Sequence, residues 1–374
     1  MSTYSMCLPC YTVGEEAYQA IPEFCHSFGS KAVVIGGKTA MSKAKEALLA
    51  GVKGSQIKIT DFIWFGGDAT YTNINKLKAD ARVQAADMLF AVGGGRACDT
   101  VKTLAALMDK PLFTFPTLAS NCASSTAICV LYNDDATFRE YFYRKGPALH
   151  TFINTRIIAE SPANLFWAGI GDALSKEYEV EFATRDQDLF HTPLLGATLA
   201  HACAKPLLTY GEQALADCKA HKVSFALEQV ALDIIISTGL VSNFTSGGDK
   251  YYYNSNLAHC VYCGATLVPA CGEHHLHGEV VAFGILCLLV CDGNTELLEQ
   301  VAKFNLRLGL PVTLAEIDLK TSDVKVIADK AVSLADWKAV YRPVTKEEFS
   351  SAILEADRYG RQLKNRRPDT GLGC

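Results

Sequence analysis

The chain has no uncharged apolar run approaching the roughly 20 residues that a membrane-spanning helix needs. The longest extends only from Val280 to Cys291. A basic surplus is missing too. Thirty-five Lys and Arg stand against 40 Asp and Glu, a net charge of −5, whereas a nucleic-acid binder normally carries a basic excess or stripe. The first residues, Met1 to Cys7, show neither the basic start nor the apolar stretch of a secretory signal. Internal repeats and low-complexity segments are absent, and 49% hydrophobic against 20% charged residues leaves little room for disorder. A soluble, cytoplasmic protein with no nucleic-acid and no membrane partner is expected.

Cysteine runs the other way, at 14 residues. They are scattered through apolar stretches, as at Cys129, Cys203, Cys287 and Cys291, instead of forming a compact framework. That pattern suits reduced thiols acting as small core residues in a reducing compartment.

A length of 374 residues gives a prior of two domains at about 150 residues each. Up to about residue 160, strand-like and helix-like segments alternate. Lys31–Gly37, Asp87–Val92 and Lys110–Phe115 read as strands, the first two followed by helical patterns. Such alternation means βαβ units and a mostly parallel sheet. After Ser161-Pro162 long helical patterns take over, at Leu165–Thr184, Leu194–Leu207, Gly211–Lys219 and Lys222–Val241. The expected fold is therefore α/β: a Rossmann-like cofactor-binding domain over 1–160 and an all-helical domain over 161–374. The polar, glycine-rich end, Lys364 to Cys374, is expected to fray.

Between a strand and a helix lies Gly93-Gly94-Gly95-Arg96-Ala-Cys-Asp99-Thr-Val-Lys102. Glycines there let the backbone approach an anion, and the helix N-terminus offers free N–H groups and partial positive charge. Asp99 and Lys102, three apart, can point to one side, an arrangement suited to a pyrophosphate and a neighbouring ribose. A tight structural turn explains the glycines equally well, since the dinucleotide fingerprint GxGxxG is not present.

Three of nine histidines cluster in His274-His275-Leu-His277-Gly-Glu279, with His259 eighteen residues before His277. Two adjacent helices bring such histidines together, and Asp172, in Gly169-Ile-Gly171-Asp172, is a candidate carboxylate to complete a metal site. Spacing alone leaves open that these are ordinary surface or core histidines. It also leaves open a zinc knuckle at Cys260-x-x-Cys263 with Cys271, although a second CxxC is missing.

Taken in order, Gly-Gly-Gly-Arg-x-x-Asp-x-x-Lys (93–102), Pro116-Thr117, Gly169-Ile-Gly-Asp-Ala-Leu174 and His277-Gly-Glu-x-Val-Ala-Phe-Gly284 resemble the group III, iron-containing-type alcohol dehydrogenases. Within them the chain looks most like the glycerol dehydrogenase branch, over roughly residues 10 to 350. The resemblance implies the dehydroquinate synthase-like fold of that family, with a cleft between its two domains, and a homo-oligomer. It implies that Asp172, His259 and His277 hold a divalent metal. Iron-type members carry a fourth, histidine ligand four residues after the aspartate; here that position is Lys176. Its absence favours Zn²⁺, whose catalytic sites keep three protein ligands and an open position, with Fe²⁺ or Mn²⁺ the other candidates. The metal would lower the pKa of a bound alcohol so that a hydride can pass to the nicotinamide of NAD(P)(H). The cofactor would lie along Gly94, Gly95, Arg96, Asp99, Lys102, Thr117, Thr126, Ile128 and Tyr132. Without the resemblance, Thr126–Tyr132 reads simply as a buried strand.

Two departures bear on specificity. NAD-using glycerol dehydrogenases place an Asp after the first strand to hold the adenosine ribose; here Gly37 and then Lys38 stand there. Loss of the carboxylate and gain of a cation should admit a 2′-phosphate, which predicts NADP(H) use. Those enzymes also carry an Asp near the polyol hydroxyls where this chain has Cys122. Removing that charge admits a carboxylate-bearing substrate. Cys122 with Tyr132-Asn133-Asp134 resembles the hydroxycarboxylate dehydrogenase offshoot, whose members reduce small 2-oxo acids. Asn121, Cys122, Asp172 and His259 are the expected substrate contacts. A 2-hydroxy acid is thus expected slightly ahead of glycerol as substrate. Sugar-phosphate cyclases of the same superfamily need a strong basic clamp, and Arg139, Arg144, Lys145 and His150 make only a modest one. A cofactor-binding sensor would have no use for the three candidate metal ligands.

Overall fold

A computed structural model describes residues 5–365. The expected tail falls mostly on residues 366–374, which lie outside the described residues. The chain divides into two compact units, Met1–Phe166 with Thr209–Tyr251, and Trp167–Leu208 with Tyr252–Cys374.

The first unit is built on a six-stranded sheet. Its strands are β1 (Tyr11–Gly14), β2 (Lys31–Gly36), β3 (Lys58–Trp64), β4 (Met88–Gly93), β5 (Leu112–Pro116) and β8 (His150–Asn154). They lie in the order β1-β8-β5-β4-β2-β3, and every pairing is parallel. An antiparallel hairpin, β6 (Ile128–Tyr132) with β7 (Phe138–Tyr143), stands apart from it. Successive strand side chains point to opposite faces, and both faces are filled here. Ala32, Val34, Met88, Phe90 and Val92 enter one buried cluster, while Val33, Ile35, Leu89 and Ala91 enter the other. That two-sided burial explains why these strands read as continuous apolar runs. The expected strands at 31–37, 87–92 and 110–115 match β2, β4 and β5 to within two residues at either end.

The sequence places everything after 160 in one helical domain, but residues 209–251 cluster with the sheet. Hydrogen bonds explain the return. Asn243 Oδ1 accepts from Ala127 N and Asn243 Nδ2 donates to Ser125 O, each at 2.9 Å. Ser125 Oγ donates to Ile235 O, inside a π-helical turn, Asp233–Ser237. The stretch Phe225–Thr245 is long and apolar enough to cross a membrane, but 67% of its apolar 18-residue window is buried within the fold, as a core helix would be.

Among its described residues the second unit has helices and no strand. Helix His277–Asp292 carries buried residues all round, the mark of a central core helix. The pattern expected over Leu194–Leu207 is broken by a turn at 201–203, giving helices His191–Ala200 and Ala204–Lys219. The fold is the expected α/β arrangement with a helical C-terminal portion.

Candidate active site

Glycines set the geometry of the second unit's polar centre. Helix Ala163–Thr184 carries Asp172, helix Leu257–Ala265 carries His259, and His277 opens helix His277–Asp292. A Cβ on Gly171 would lie 2.4 Å from Gly278 O, and one on Gly278 would lie 1.9 Å from Ala168 O. Only glycine allows the first and third helices to come this close, and the closeness brings Asp172 to His277. Asp172 Oδ1 lies 3.0 Å from His277 Nε2 and 3.6 Å from His259 Nε2. One ligand atom from each of the three residues falls within 4.8 Å of the others. Tyr262 presents its ring edge-on to His277 at 4.2 Å between centroids.

His259 is held from behind. Its Nδ1 is 2.7 Å from Glu179 Oε2, and Glu179 Oε1 accepts from the backbone N–H of Asn256 and of His259. A carboxylate at Nδ1 fixes the ring's orientation and aims Nε2 at Asp172, and once a metal displaces the Nε2 proton it fixes the ligating tautomer. Burial works against charge on Asp172, yet the His277 and His259 side chains hold its carboxyl well below the usual range. Burial likewise opposes a charged His259, but Glu179 and Asp172 raise its pKa to about 10. Two imidazoles and a carboxylate, one imidazole oriented by a buried acid, fit a divalent cation. His277 is 41% exposed, so one side of the cluster stays open.

Glu179 was not among the residues singled out from sequence. Its signal was available: it lies seven residues, two helical turns, after Asp172 and so shares its face. His274 and His275 stay outside the cluster. His275 pairs with Glu279 at 2.9 Å and with Asp318 at 3.2 Å, and His274 is exposed, 3.6 Å from Asp318. Cys260 and Cys271 are buried, with thiol pKa values pushed up by burial.

The glycine turn belongs to the first unit. Gly93 ends β4 at φ +146°, a conformation that favours glycine, and Gly94 precedes helix Gly95–Met108. A Cβ on Gly95 would meet Asn121 Nδ2 at 2.7 Å, so this turn and the 117–126 loop pack directly together. Thr117 N donates to Gly93 O. Asn121 Oδ1 accepts from Ala123 N at 3.0 Å, and Cys122 leads into the short turn Ala123–Ser125. Arg96 binds Asp68 at 2.8 Å and lies 4.9 Å over the Tyr132 ring.

Asp99 and Lys102 are placed differently from the expected phosphate contacts. Lys102 is wholly buried and Asp99 nearly so. Lys102 Nζ lies 2.9 Å from Asp99 Oδ1 and donates to Ile128 O, Thr126 O and Thr126 Oγ1. A buried cation needs such partners, and satisfying it pins β6 to the helix. At the first βα turn, Gly37 caps helix Lys38–Gly51, and Lys38 Nζ sits 4.7 Å over the Trp64 ring.

Known proteins agree with this picture. The iron-containing alcohol dehydrogenase family profile matches residues 9–149. The glycerol dehydrogenase of Escherichia coli O6:H1 is 30% identical over 94% of this chain and 96% of its own. The hydroxycarboxylate dehydrogenase A of Escherichia coli K12 is 32% identical over 88% of this chain and 87% of its own. The crystal structure of glycerol dehydrogenase from Schizosaccharomyces pombe superposes with a TM-score of 0.86 at 22% identity, covering 98% of this chain and 94% of that one. The chain belongs to the iron-containing alcohol dehydrogenase family, in its glycerol dehydrogenase branch. It is a metal-dependent oxidoreductase acting on CH–OH donors.

Proposed function

We propose that the protein interconverts a small 2-hydroxy acid and its 2-oxo acid by hydride exchange with NAD(P)(H), at a divalent ion held by Asp172, His259 and His277. The observation that carries the reading is the convergence of those three donors, open on one side, with His259 oriented by Glu179. Held by these three donors, a divalent ion, Zn²⁺ by the number of protein ligands, would supply Lewis acidity towards the carbonyl or alcohol oxygen. Oxidation gives up a hydride from carbon and a proton from oxygen, for which the bound NAD(P)⁺ and solvent would be the respective acceptors. Asp172 contributes the one charge of the donor set, and Glu179 keeps His259 in the productive tautomer.

The glycine turn, free N–H groups at the start of helix Gly95–Met108 and Arg96 support cofactor phosphate binding. The buried Asp99–Lys102 pair supports it indirectly, by holding Thr126 and Ile128 on β6. Thr117 and Tyr132 border the same turn. Gly37 with Lys38 favours NADP(H), and uncharged Cys122 beside Asn121 favours an anionic substrate. The second reading, glycerol oxidation to dihydroxyacetone, is supported by the similarity to glycerol dehydrogenases. We place the protein in the cytoplasm, in keeping with its free thiols, and as a homo-oligomer, in keeping with its family.

The test is reduction of 2-oxobutyrate and of dihydroxyacetone by the zinc-reconstituted protein, each with NADPH and with NADH. Higher kcat/KM for 2-oxobutyrate supports the hydroxy-acid reading, and preference for dihydroxyacetone establishes the polyol reading. Higher kcat/KM with NADPH supports the cofactor assignment, and a clear NADH preference removes it.

A further inference from the structure

Lys176 lies one helical turn after Asp172 on the same helix, so the two side chains share a face about 6 Å apart at Cβ. It is buried, with 6% of its surface exposed. Its ammonium is nevertheless matched only with neutral oxygens. Lys176 Nζ donates to Asn254 Oδ1 at 2.6 Å and to Asn254 O at 2.9 Å. Among the described residues no carboxylate forms an ion pair with it. An ammonium has three N–H donors, and only two are used. Its charge helps to hold the Glu179 carboxyl ionised, in keeping with its place one turn from Asp172 on the helix that also carries Glu179. A buried ammonium with one N–H unused and no carboxylate in direct contact is costly. An anion docking beside Asp172 would relieve that cost.

We propose that Lys176 is the anchor for the substrate carboxylate, with Asn254 holding the ammonium in place. The assignment rests on the hydroxy-acid reading above and specifies how that substrate is recognised. In a 2-oxo acid the carboxylate is bonded directly to the reacting carbon. Its anchor must therefore lie within one side-chain length of the metal donors, and Lys176 meets that requirement. A polyol has no anion to place there, so Lys176 acts on specificity and takes no part in hydride transfer.

The test compares 2-oxobutyrate with 1-hydroxy-2-butanone, in which the carboxylate is replaced by a neutral CH₂OH. The zinc-loaded wild type, Lys176→Met, Lys176→Gln and Lys176→Arg are assayed. A charge-assisted hydrogen bond sets the scale, so the ratio of kcat/KM values, acid over ketone, should fall about 30-fold in Lys176→Met. Lys176→Gln, which can keep a bond to Asn254, should lose a similar factor, and Lys176→Arg should retain most of the ratio. The rise in thermal midpoint produced by oxamate, read without turnover, should shrink in parallel with the ratio. An unchanged ratio in Lys176→Gln or Lys176→Met overturns the assignment, as does equal loss on both substrates. A wild type active on the ketone and inactive on 2-oxobutyrate removes the hydroxy-acid reading itself.

Discussion

Glu179 and His259 face each other at 2.7 Å, a fully buried carboxylate against the imidazole edge that points away from Asp172. The same carboxylate accepts from two backbone N–H groups at the start of helix Leu257–Ala265. One acid thus positions the helix, the ring and its tautomer together. Glu179→Gln keeps the size and removes the charge. Loss of such a supporting partner typically costs 10–100-fold in metal affinity, so zinc Kd should weaken by about that factor in competition with a chromophoric chelator. An unchanged Kd would show that packing alone orients His259. Zinc must also displace a proton from a histidine whose pKa is raised to about 10. Affinity should therefore rise with pH across the neutral range.

The cofactor prediction turns on space. A Cβ on Gly37 would find its nearest neighbours, Ala40 Cβ and Phe65, at 3.7 and 3.9 Å. The backbone there is extended, at φ −70° and ψ 144°. Gly37→Asp therefore fits without strain, and Asp is a better helix cap than Gly. The new carboxylate would accept from a ribose hydroxyl and repel a 2′-phosphate. The kcat/KM ratio of NADH to NADPH should rise at least about tenfold, equivalent to roughly 1.4 kcal/mol. No change would mean that the adenosine ribose lies elsewhere.

His150 offers a test of the fold that is separate from the metal site. It is buried in β8, with Nε2 at 2.8 Å from Thr12 Oγ1, its ring stacked on Phe24 and Nδ1 without a hydrogen-bond partner among the described residues. Burial depresses its pKa from 6.5 to about 4. Between those values the unfolded chain takes up a proton that the folded chain refuses, so this residue's contribution falls as pH drops through that window. The full loss, below pH 4, is about 3 kcal/mol. In a ¹³C-labelled sample one histidine resonance should keep its neutral shift down to about pH 5 and vanish in His150→Asn. The variant should also lose less thermal stability than wild type between pH 7 and 5.

The sheet was legible because two-sided burial leaves unmistakable apolar runs, as in Met88–Gly93, and the glycine turn because β4 ends on it. The three residues of the candidate metal cluster were visible as residue types, but spacing could not choose them over His274 and His275. The family motifs singled out Asp172, His259 and His277, and the close contact of Gly171 with Gly278 brings Asp172 to His277. Other features depend on contacts between distant segments and leave no local mark. Asn243 reaching back to Ser125 and Ala127 ties 209–251 to the turn before β6, within the first unit. The i, i+3 spacing of Asp99 and Lys102 showed that they can meet, and only the structure shows them turned inward to β6.

Cys122 carries the last prediction. Its backbone, at φ −93° and ψ 10°, sits in the bridge region that Asp readily adopts. Cys122→Asp places a negative charge in the loop that packs against the glycine turn through Asn121. If the loop meets the substrate, that charge repels a 2-oxo acid and accepts hydrogen bonds from polyol hydroxyls. The kcat/KM for 2-oxobutyrate should fall at least about tenfold relative to dihydroxyacetone, a difference of roughly 1.4 kcal/mol. Zinc content and thermal midpoint, measured alongside, separate this from a folding defect. Equal changes on both substrates would take Cys122 out of substrate selection and leave it as a packing residue beside Gly239, where its Cβ lies 3.6 Å from the position a Cβ would occupy.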